Sequence, residues 1–415
     1  MSRASGGVGI PDPTRVARDV RARSVVTWLD PGPVTSGPLS GVSVGVKDNI
    51  AVAGAPRTCA SEFALTDVSA HDAAVVTTVR RAGAAVVATL DMAEWAVGVT
   101  SQNSVHGGPR NPWDTTRVPG GSSGGSGAAV AAGVVDVALG TDTGGSTRLP
   151  AAACGVTGLR PTPGTIDQTG IVPVSPAFDT VGPIAREASL VRRVHDVLAS
   201  TGTPPQQRPL RIGVPRAFVT DDVDPGVRGR VDQMVALLAA EGGHTLVPVD
   251  VAAHDEAQSA VYTFIYRDLV AFHAERLRDE PDRFQPETLA RLRLGLALTD
   301  RDVRAARRVR DRLRAGLRTV FVDVDVVLTP TLPVDVPSID AGADALERTR
   351  RMGQFSYPWS LHDGPTLSLP VGFHPESGLP VGVQLTAPAH GESVLFDLAE
   401  EYQRLTDWHR REPSA

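Results

Sequence analysis

The stretch from Val118 to Gly155, VPGGSSGGSGAAVAAGVVDVALGTDTGGSTRLPAAACG, sets the expectations for the whole chain. Two glycine loops that each carry serine, around Ser122 and Ser146, flank an apolar segment. Within that segment, residues 128–135 are predicted to form a buried helix and residues 136–140 a buried strand. A loop-helix-strand-loop unit of this kind returns both serine hydroxyls to one end of a sheet, so we expect them to lie close together.

Glycine-serine loops serve several mechanisms. A phosphate-binding loop aims backbone N–H groups at an anion, but a Walker A loop ends in Gly-Lys-Ser/Thr, and the only lysine lies far upstream. A nucleophile elbow fits Gly120–Gly124, which matches G-x-S-x-G, although no motif marks the histidine and acid that it needs. A flexible linker would not run directly into an apolar segment. The remaining possibility is a catalytic site that uses both serine loops together. In such a site, Thr143, Gly144 and Gly145 supply N–H donors for an oxyanion hole.

Lys47, in the segment GVKDNI (45–50), is the only lysine, although Lys and Arg together number 41. Arg stays charged at any attainable pH, whereas a buried Lys can lose its proton and act as a base. Residues 42–46 alternate as a buried strand does, and residues 48–49 break that pattern as a turn. Lys47 is therefore predicted at the end of a strand, as a candidate base for a serine hydroxyl. A surface lysine retained by chance is the alternative.

The composition limits the class of protein. The chain has 415 residues, with 41% hydrophobic and 21% charged residues and a net charge of −6, which argues against a general nucleic-acid binder. No apolar run is long enough to cross a membrane, and the N-terminus lacks the apolar core of a signal peptide. Two cysteines, Cys59 and Cys154, are too few for a disulfide framework or a zinc site. We expect a cytoplasmic enzyme with no membrane or nucleic-acid partner.

The length alone favours two or three domains. Residues 1–35 are predicted to be an N-terminal helical segment, with a helix over 16–29, that packs on a core domain of residues 36–410. Further along the chain, the pattern predicts a strand over 322–328 and a closing helix over 392–405.

Several segments together carry a resemblance to a known family. They are GVKDNI (45–50), NPWD (111–114), GGSSGGS from Gly120, GTDTGGSTRLPAAACG from Gly140, GLRPTPG (158–164), FDTVGPIAR (178–186), DVVLTPTLP (325–333) and GLPVGVQL (378–385). The combination resembles the amidase signature family, from about residue 40 to residue 405. The resemblance implies an α/β fold: one compact domain, with a mixed central β-sheet covered by helices on both faces, instead of two or three domains.

The resemblance also implies the roles of the site residues. The lysine of the KDN segment is the base, the first serine of the GGSS pair relays protons, and the serine of the second block is the nucleophile, which gives Lys47, Ser122 and Ser146. The peptide bond that precedes Ser122 is expected to be cis. Backbone N–H groups of residues 143–146 form the oxyanion hole, and neither a metal nor an organic cofactor is required.

Substrate choice is predicted from the segments near the pocket. By resemblance, Ala96 lies in a segment that passes near the acyl pocket, and a role in packing alone is the alternative. The run FSYPWSLHDGP (355–365) departs from the family pattern. Ser360, His362 and Asp363 are therefore predicted either to line the leaving-group side of the pocket or only to remodel a loop.

Three functions remain to be separated. The leading interpretation is a stand-alone amidase that acts on a small carboxamide with water, with a homodimer as the assembly considered. The alternative is the A-type glutaminase subunit of a tRNA-dependent amidotransferase, because residues 91–104 and 110–114 resemble it closely. The shortness of the chain and the altered segment at 355–365 weigh against that alternative. An inactive scaffold or nucleotide-binding module is the third, and the presence of the whole lysine-serine set argues against it.

Overall fold

The computed structural model describes residue 9 and residues 12–202, 208–218, 222–340 and 350–414. Within these ranges, eleven strands form one sheet. They are β1 (Val25–Trp28), β2 (Ser43–Lys47), β3 (Ala85–Leu90), β4 (Val137–Asp142), β5 (Thr157–Arg160), β6 (Thr180–Ala185), β7 (Arg211–Pro215), β8 (Thr245–Val249), β9 (Val326–Pro330), β10 (Thr366–Phe373) and β11 (Pro380–Thr386).

The strand order is β1-β3-β2-β4-β6-β5-β10-β11-β9-β7-β8. Strand β2 runs parallel to both β3 and β4, and β7 runs parallel to β8 and β9, whereas the pairs between β4 and β9 are antiparallel. The sheet is therefore mixed, as the resemblance implied, and helices cover both of its faces.

The described residues also form α-helices, most of which lie between successive strands in the sequence. They are α1 (Pro13–Ala22), α2 (Ala74–Arg81), α3 (Gly124–Ala131), α4 (Arg148–Cys154), α5 (Ala188–Ala199), α6 (Pro225–Ala240), α7 (His254–Phe272), α8 (Ala274–Asp279), α9 (Pro286–Leu296), α10 (Asp300–Asp323), α11 (Tyr357–Leu361) and α12 (Glu392–Leu405). None of them is long and apolar enough to cross a bilayer.

The N-terminal segment differs from its prediction. Helix α1 begins after Asp12, whose carboxylate accepts a hydrogen bond from the Thr14 N–H, and it ends where Arg23 adopts a left-handed conformation. Residues 25–28 then form β1, which pairs antiparallel with β3. The predicted helix over 16–29 is thus too long, because a run of β-branched and aromatic residues favours a strand once a partner strand is available. The domain boundary at residue 35 stays a prediction.

The segment before β9 also differs from its prediction. Helix α10 starts at a capping box formed by Thr299 and Asp302 and continues to Asp323. Val322, which was predicted to open a strand, is 71% exposed in the last turn of this helix. The strand starts only at Val326, because the valines at the end of α10 continue a helical run that its buried face stabilises. The closing helix over 392–405 is confirmed.

Two parallel neighbours position the site. In β2 and β4, Val46 pairs with Leu139, and both strands are completely buried. Because parallel strands end at the same edge of a sheet, Lys47 at the end of β2 lies beside the last residues of β4. Helix α3 begins directly after Ser123 and brings the first serine loop to this edge.

Candidate active site

Lys47 and Ser122 are in direct contact. Nζ of Lys47 lies 2.8 Å from Ser122 Oγ and 2.8 Å from Thr141 Oγ1. All three side chains are buried. The peptide bond between Gly121 and Ser122 is cis, as the resemblance implied. The structure thus brings the predicted base and the predicted relay within hydrogen-bonding distance.

The environment of Lys47 favours the neutral amine. Burial lowers the pKa of Lys47 to about 7, against the opposing effect of the carboxylates of Asp142 and Asp179. A group with this pKa is largely deprotonated at slightly alkaline pH, so it can accept a proton from a hydroxyl. The value lies at the lower end of the range of 7–8 that a general base at this position needs.

The hydroxyl of Thr141, near the end of β4, contacts Lys47. Its oxygen lies 2.8 Å from Lys47 Nζ and 3.3 Å from Asn49 Nδ2. A neutral amine has two N–H donors and one lone pair. When one N–H points at Thr141, the lone pair is free to face Ser122, which is the orientation that proton transfer from a serine requires.

Ser146 lies on the adjoining loop, between β4 and α4. Its side chain is half-buried and lines a cavity. The backbone carbonyl of Ser146 accepts a hydrogen bond from the Ser123 N–H at 3.3 Å, which ties the two serine loops together. The Ser123 hydroxyl donates to the Thr141 carbonyl at 3.2 Å. Ser123 therefore has a structural partner, which leaves Ser122 as the hydroxyl that faces the lysine.

Of the three residues predicted for the oxyanion hole, one has a backbone N–H group that already donates to a protein acceptor. The Gly145 N–H donates to Asp142 Oδ1 at 2.8 Å, so it is already engaged. The Thr143 hydroxyl donates to Asp179 at 2.6 Å, which fixes the turn, and the Gly144 carbonyl accepts from Ser356 Oγ at 2.5 Å. Thr143 and Gly144 line the cavity beside Ser146. Of the three predicted residues, Gly145 is thus the one whose N–H is engaged elsewhere, and the role of Thr143 and Gly144 as oxyanion donors stays a prediction.

An ion pair beneath the loop of Ser146 holds the shape of that loop. Arg148 contacts Asp142 through Nε and Nη2, each at 3.0 Å, and Arg160 donates to the Asp142 carbonyl at 2.6 Å. Burial alone would raise the pKa of Asp142, but Arg148 and Arg160 outweigh it and hold that pKa below its usual range. The carboxylate therefore stays ionised and accepts the N–H groups of the loop.

The cavity beside Ser146 has a volume of about 50 Å³. Among the residues predicted for the site, Ala96, Thr143, Gly144 and Ser146 lie on its wall. Helices α7, α9 and α11 also contribute to the wall, through Tyr262, Tyr266, Arg291 and Tyr357. The sequence-based reasoning missed these four residues, because they stand in no motif and only tertiary packing brings them to the nucleophile.

The other predicted substrate-binding residues have internal partners. Ser360 Oγ accepts from Arg148 Nη2 at 3.0 Å, and a His362 ring nitrogen lies 2.9 Å from the Ala387 carbonyl oxygen. Asp363 is exposed and lies 3.4 Å from the other His362 nitrogen. None of the three lines the cavity formed by the described residues. These contacts favour the alternative that the segment remodels a loop, and a role in binding stays a prediction.

Comparison with known proteins decides the family. The family model described as Amidase matches residues 31–396. The chain belongs to the amidase signature family. It is accordingly an enzyme that hydrolyses amide carbon–nitrogen bonds. In the described residues of this amidase, no group of three side chains is arranged to hold a metal ion.

This amidase is similar in sequence and in structure to proteins of two descriptions. The A-type subunit of the Glutamyl-tRNA(Gln) amidotransferase of Symbiobacterium thermophilum is 34% identical, over 95% of this chain and 88% of that protein. The crystal structure of the corresponding Thermotoga maritima protein, which has the same name, gives a TM-score of 0.83 and 29% identity, over 93% of this chain and 89% of that one. A solved structure described only as an amidase has a TM-score of 0.82 and 30% identity, over 89% and 86% of the two chains.

These relatives correct the predicted partners. The expectation was a small amide substrate and water, no nucleic acid, and at most a second copy of the chain. It is wrong, because similar proteins from several organisms carry the name of one subunit of an enzyme that acts on glutamyl-tRNA. The net charge of −6 misled the prediction, since the charge of a single chain does not describe any partner chain.

Proposed function

We propose that this amidase hydrolyses a carboxamide through an acyl-enzyme on Ser146, with Ser122 as proton relay and Lys47 as base. The contact of 2.8 Å between the buried Lys47 Nζ and Ser122 Oγ carries the proposal, and the hydrogen bond from the Ser123 N–H to the Ser146 carbonyl joins the loop of Ser146 to this pair. A base hydrogen-bonded to a hydroxyl next to a second hydroxyl is the arrangement that activates a serine nucleophile.

The steps follow from that arrangement. Ser146 Oγ attacks the carbonyl carbon as its proton passes to Ser122 Oγ, and the Ser122 proton passes to Lys47 Nζ. N–H groups of Thr143 and Gly144 stabilise the oxyanion, an effect typically worth about 3 kcal/mol for each donor. As the carbon–nitrogen bond breaks, Ser122 gives a proton to the leaving nitrogen and regains one from Lys47. Water then attacks the ester by the same route and releases the carboxylic acid.

We further propose that the chain is an A-type glutaminase subunit, which releases ammonia from the side-chain amide of glutamine for use by partner subunits on a tRNA substrate. Support comes from its relatives, which share this name and of which the chain covers most of the length. The altered segment at 355–365, which weighed against this interpretation, contributes Tyr357 to the cavity wall.

The test measures ammonia release from glutamine by the purified chain, alone and with the partner subunits of a related amidotransferase. We expect release that Ser146→Ala abolishes, that Ser122→Ala reduces by roughly 100-fold or more, and that the matched Ser123→Ala largely retains. Release from simple amides but never from glutamine, with or without partner subunits, would support a stand-alone amidase and contradict the glutaminase proposal.

A further inference from the structure

Helix α10 concentrates positive charge on one side of an otherwise acidic protein. It contains eight arginines and four aspartates, a net charge of +4, whereas the whole chain has a net charge of −6. The residues outside α10 therefore carry a net charge of −10 between them. Charge that is separated in this way gives the surface of α10 a positive potential that attracts anions.

Four arginines of α10 are exposed and make no ion pair with any described residue. Other cations of the helix do have partners: Arg312 pairs with Glu256 of α7, and Arg310 Nε lies 3.6 Å from Asp311 Oδ1. The four that remain free of such contacts are Arg304, Arg307, Arg308 and Arg318. Their guanidinium groups are available to a ligand from solvent.

This distribution of charge does not stabilise the helix. Arg304 and Arg308 are four residues apart, as are Arg314 and Arg318, and like charges at that spacing repel each other on a helix. The opposite face holds the helix in place, because its apolar side chains are buried: Ala306, Val309, Leu313 and Leu317. A polyanion bound along the exposed face would relieve the repulsion.

The exposed face of α10 suits a phosphate backbone better than a protein or a membrane. Over residues 301–319 of the described helix, the exposed side chains are arginine, aspartate, alanine and threonine, with no aromatic or large apolar group. A protein interface generally has an apolar or aromatic centre, and a membrane-surface helix inserts its apolar face, which α10 already buries in the protein. Guanidinium groups alone are sufficient to bind phosphates.

The exposed face of α10 lies outside the cavity beside Ser146. Helix α10 packs on α7, where Arg310 lies over the ring of Phe264 at 5.6 Å, and α7 in turn contributes Tyr262 and Tyr266 to the cavity wall. The four free arginines are not among the described residues of that wall. A helix of 24 residues is about 36 Å long, so α10 offers an extended binding surface that is separate from the cavity.

We propose that the exposed face of α10, through Arg304, Arg307, Arg308 and Arg318, binds the phosphate backbone of a tRNA. The inference rests on the proposed function, in which partner subunits act on a tRNA, and it assigns to this chain a surface that contacts that RNA. Because phosphate contacts carry no sequence information, binding at α10 should not depend on the sequence of the RNA.

The affinity for tRNA and its dependence on salt test the inference. The probe is a fluorescently labelled transcript of a glutamine tRNA, and its anisotropy is measured with the full chain from about 50 to about 200 mM salt. Replacing the four arginines by Gln should raise Kd roughly 20-fold or more at the lowest salt concentration. It should also reduce the slope of log Kd against log salt by about 3, since each phosphate contact contributes about 0.7–0.9. Replacing the four by Lys keeps the charges and should retain the slope.

A matched variant removes the same amount of charge from other surfaces. It replaces by Gln four exposed arginines that lie outside α10, namely Arg81, Arg193, Arg216 and Arg404. The two Gln variants have the same net charge, so a difference between them reports where the charge lies. Glutamine has a helix propensity close to that of arginine, so both variants should fold. Ammonia release from glutamine is measured in parallel and should be the same in both variants as in the unmodified chain.

The outcomes separate this inference from the proposed function. If the two Gln variants bind tRNA equally, or the unmodified chain shows no binding at about 50 mM salt, the inference is wrong while amide hydrolysis stands. If labelled poly-glutamate depends on the four arginines for binding and tRNA does not, the partner is an acidic protein and the inference is again wrong. If glutamine is never hydrolysed, the proposed glutaminase fails, and the tRNA measurement still decides whether α10 binds RNA.

Discussion

Replacing Lys47 by Met should abolish activity and yet leave the protein no less stable near pH 6. Burial lowers the pKa of Lys47 from 10.5 to about 7. Below pH 7 both the folded and the unfolded chain are protonated, and the folded chain bears the full cost of a buried ammonium, about 5 kcal/mol at 1.36 kcal/mol per pKa unit. As pH rises from 7 to 10.5, the folded lysine is already neutral while the unfolded one still binds a proton, so the free energy of unfolding increases.

The pH dependence gives the prediction its magnitude. At pH 9 the remaining cost is about 2 kcal/mol, so the stability of Lys47→Met relative to the unmodified chain should decrease by about 3 kcal/mol between pH 6 and pH 9. The part of the hydrogen bonding to Ser122 and Thr141 that does not depend on the protonation of Lys47 cancels between the two pH values, and the part that does depend on it is included in the pKa of Lys47. Urea unfolding of both proteins at pH 6 and pH 9 measures the change. A difference in stability that is the same at both pH values would refute the depressed pKa and with it the neutral base.

Three further outcomes follow from the same geometry. kcat/KM should rise with pH through an apparent pKa of about 7, and Lys47→Arg should be inactive; a profile flat from pH 6 to 9 with chemistry rate-limiting would contradict the base. Thr141→Val should lower kcat by roughly 10–100-fold with little change in KM, and Thr141→Ser, which keeps the hydroxyl, should retain the kcat of the unmodified enzyme. Equal losses of kcat in both variants would mean that the hydroxyl does not orient Lys47. His362→Ala should lower the free energy of unfolding by roughly 1–3 kcal/mol through the lost Ala387 contact without changing the ranking of substrates; a changed ranking would place this loop in the pocket.

The parts of the site that the sequence predicted are those encoded locally. Lys47 ends a strand of alternating valines, and the serine loops flank a continuous apolar run, so short-range patterns suffice to place them at a sheet edge. The engagement of the Gly145 N–H by Asp142 was not foreseeable, because a pattern of glycines shows which N–H groups are unencumbered but not which acceptor reaches them.

The parts that could not be predicted depend on distant contacts. Strand β1 exists because it pairs with β3, where Val25 lies opposite Leu90, and no local pattern reports that partner. The place of Arg291 in the cavity wall could not be predicted, since the sequence gives no sign that α9 turns this side chain inward while Arg293 stays exposed. Part of the cavity wall therefore comes from residues that only tertiary packing reveals.

The attachment site of the acyl group tests the central claim most directly. The enzyme is quenched in acid during turnover and digested before its aspartates, which places Ser122 in the peptide of residues 114–135 and Ser146 in that of residues 142–166. We predict that mass spectrometry finds the added acyl mass on the 142–166 peptide and that Ser146→Ala removes it. An acyl group on the 114–135 peptide would contradict the assignment of Ser146 as nucleophile.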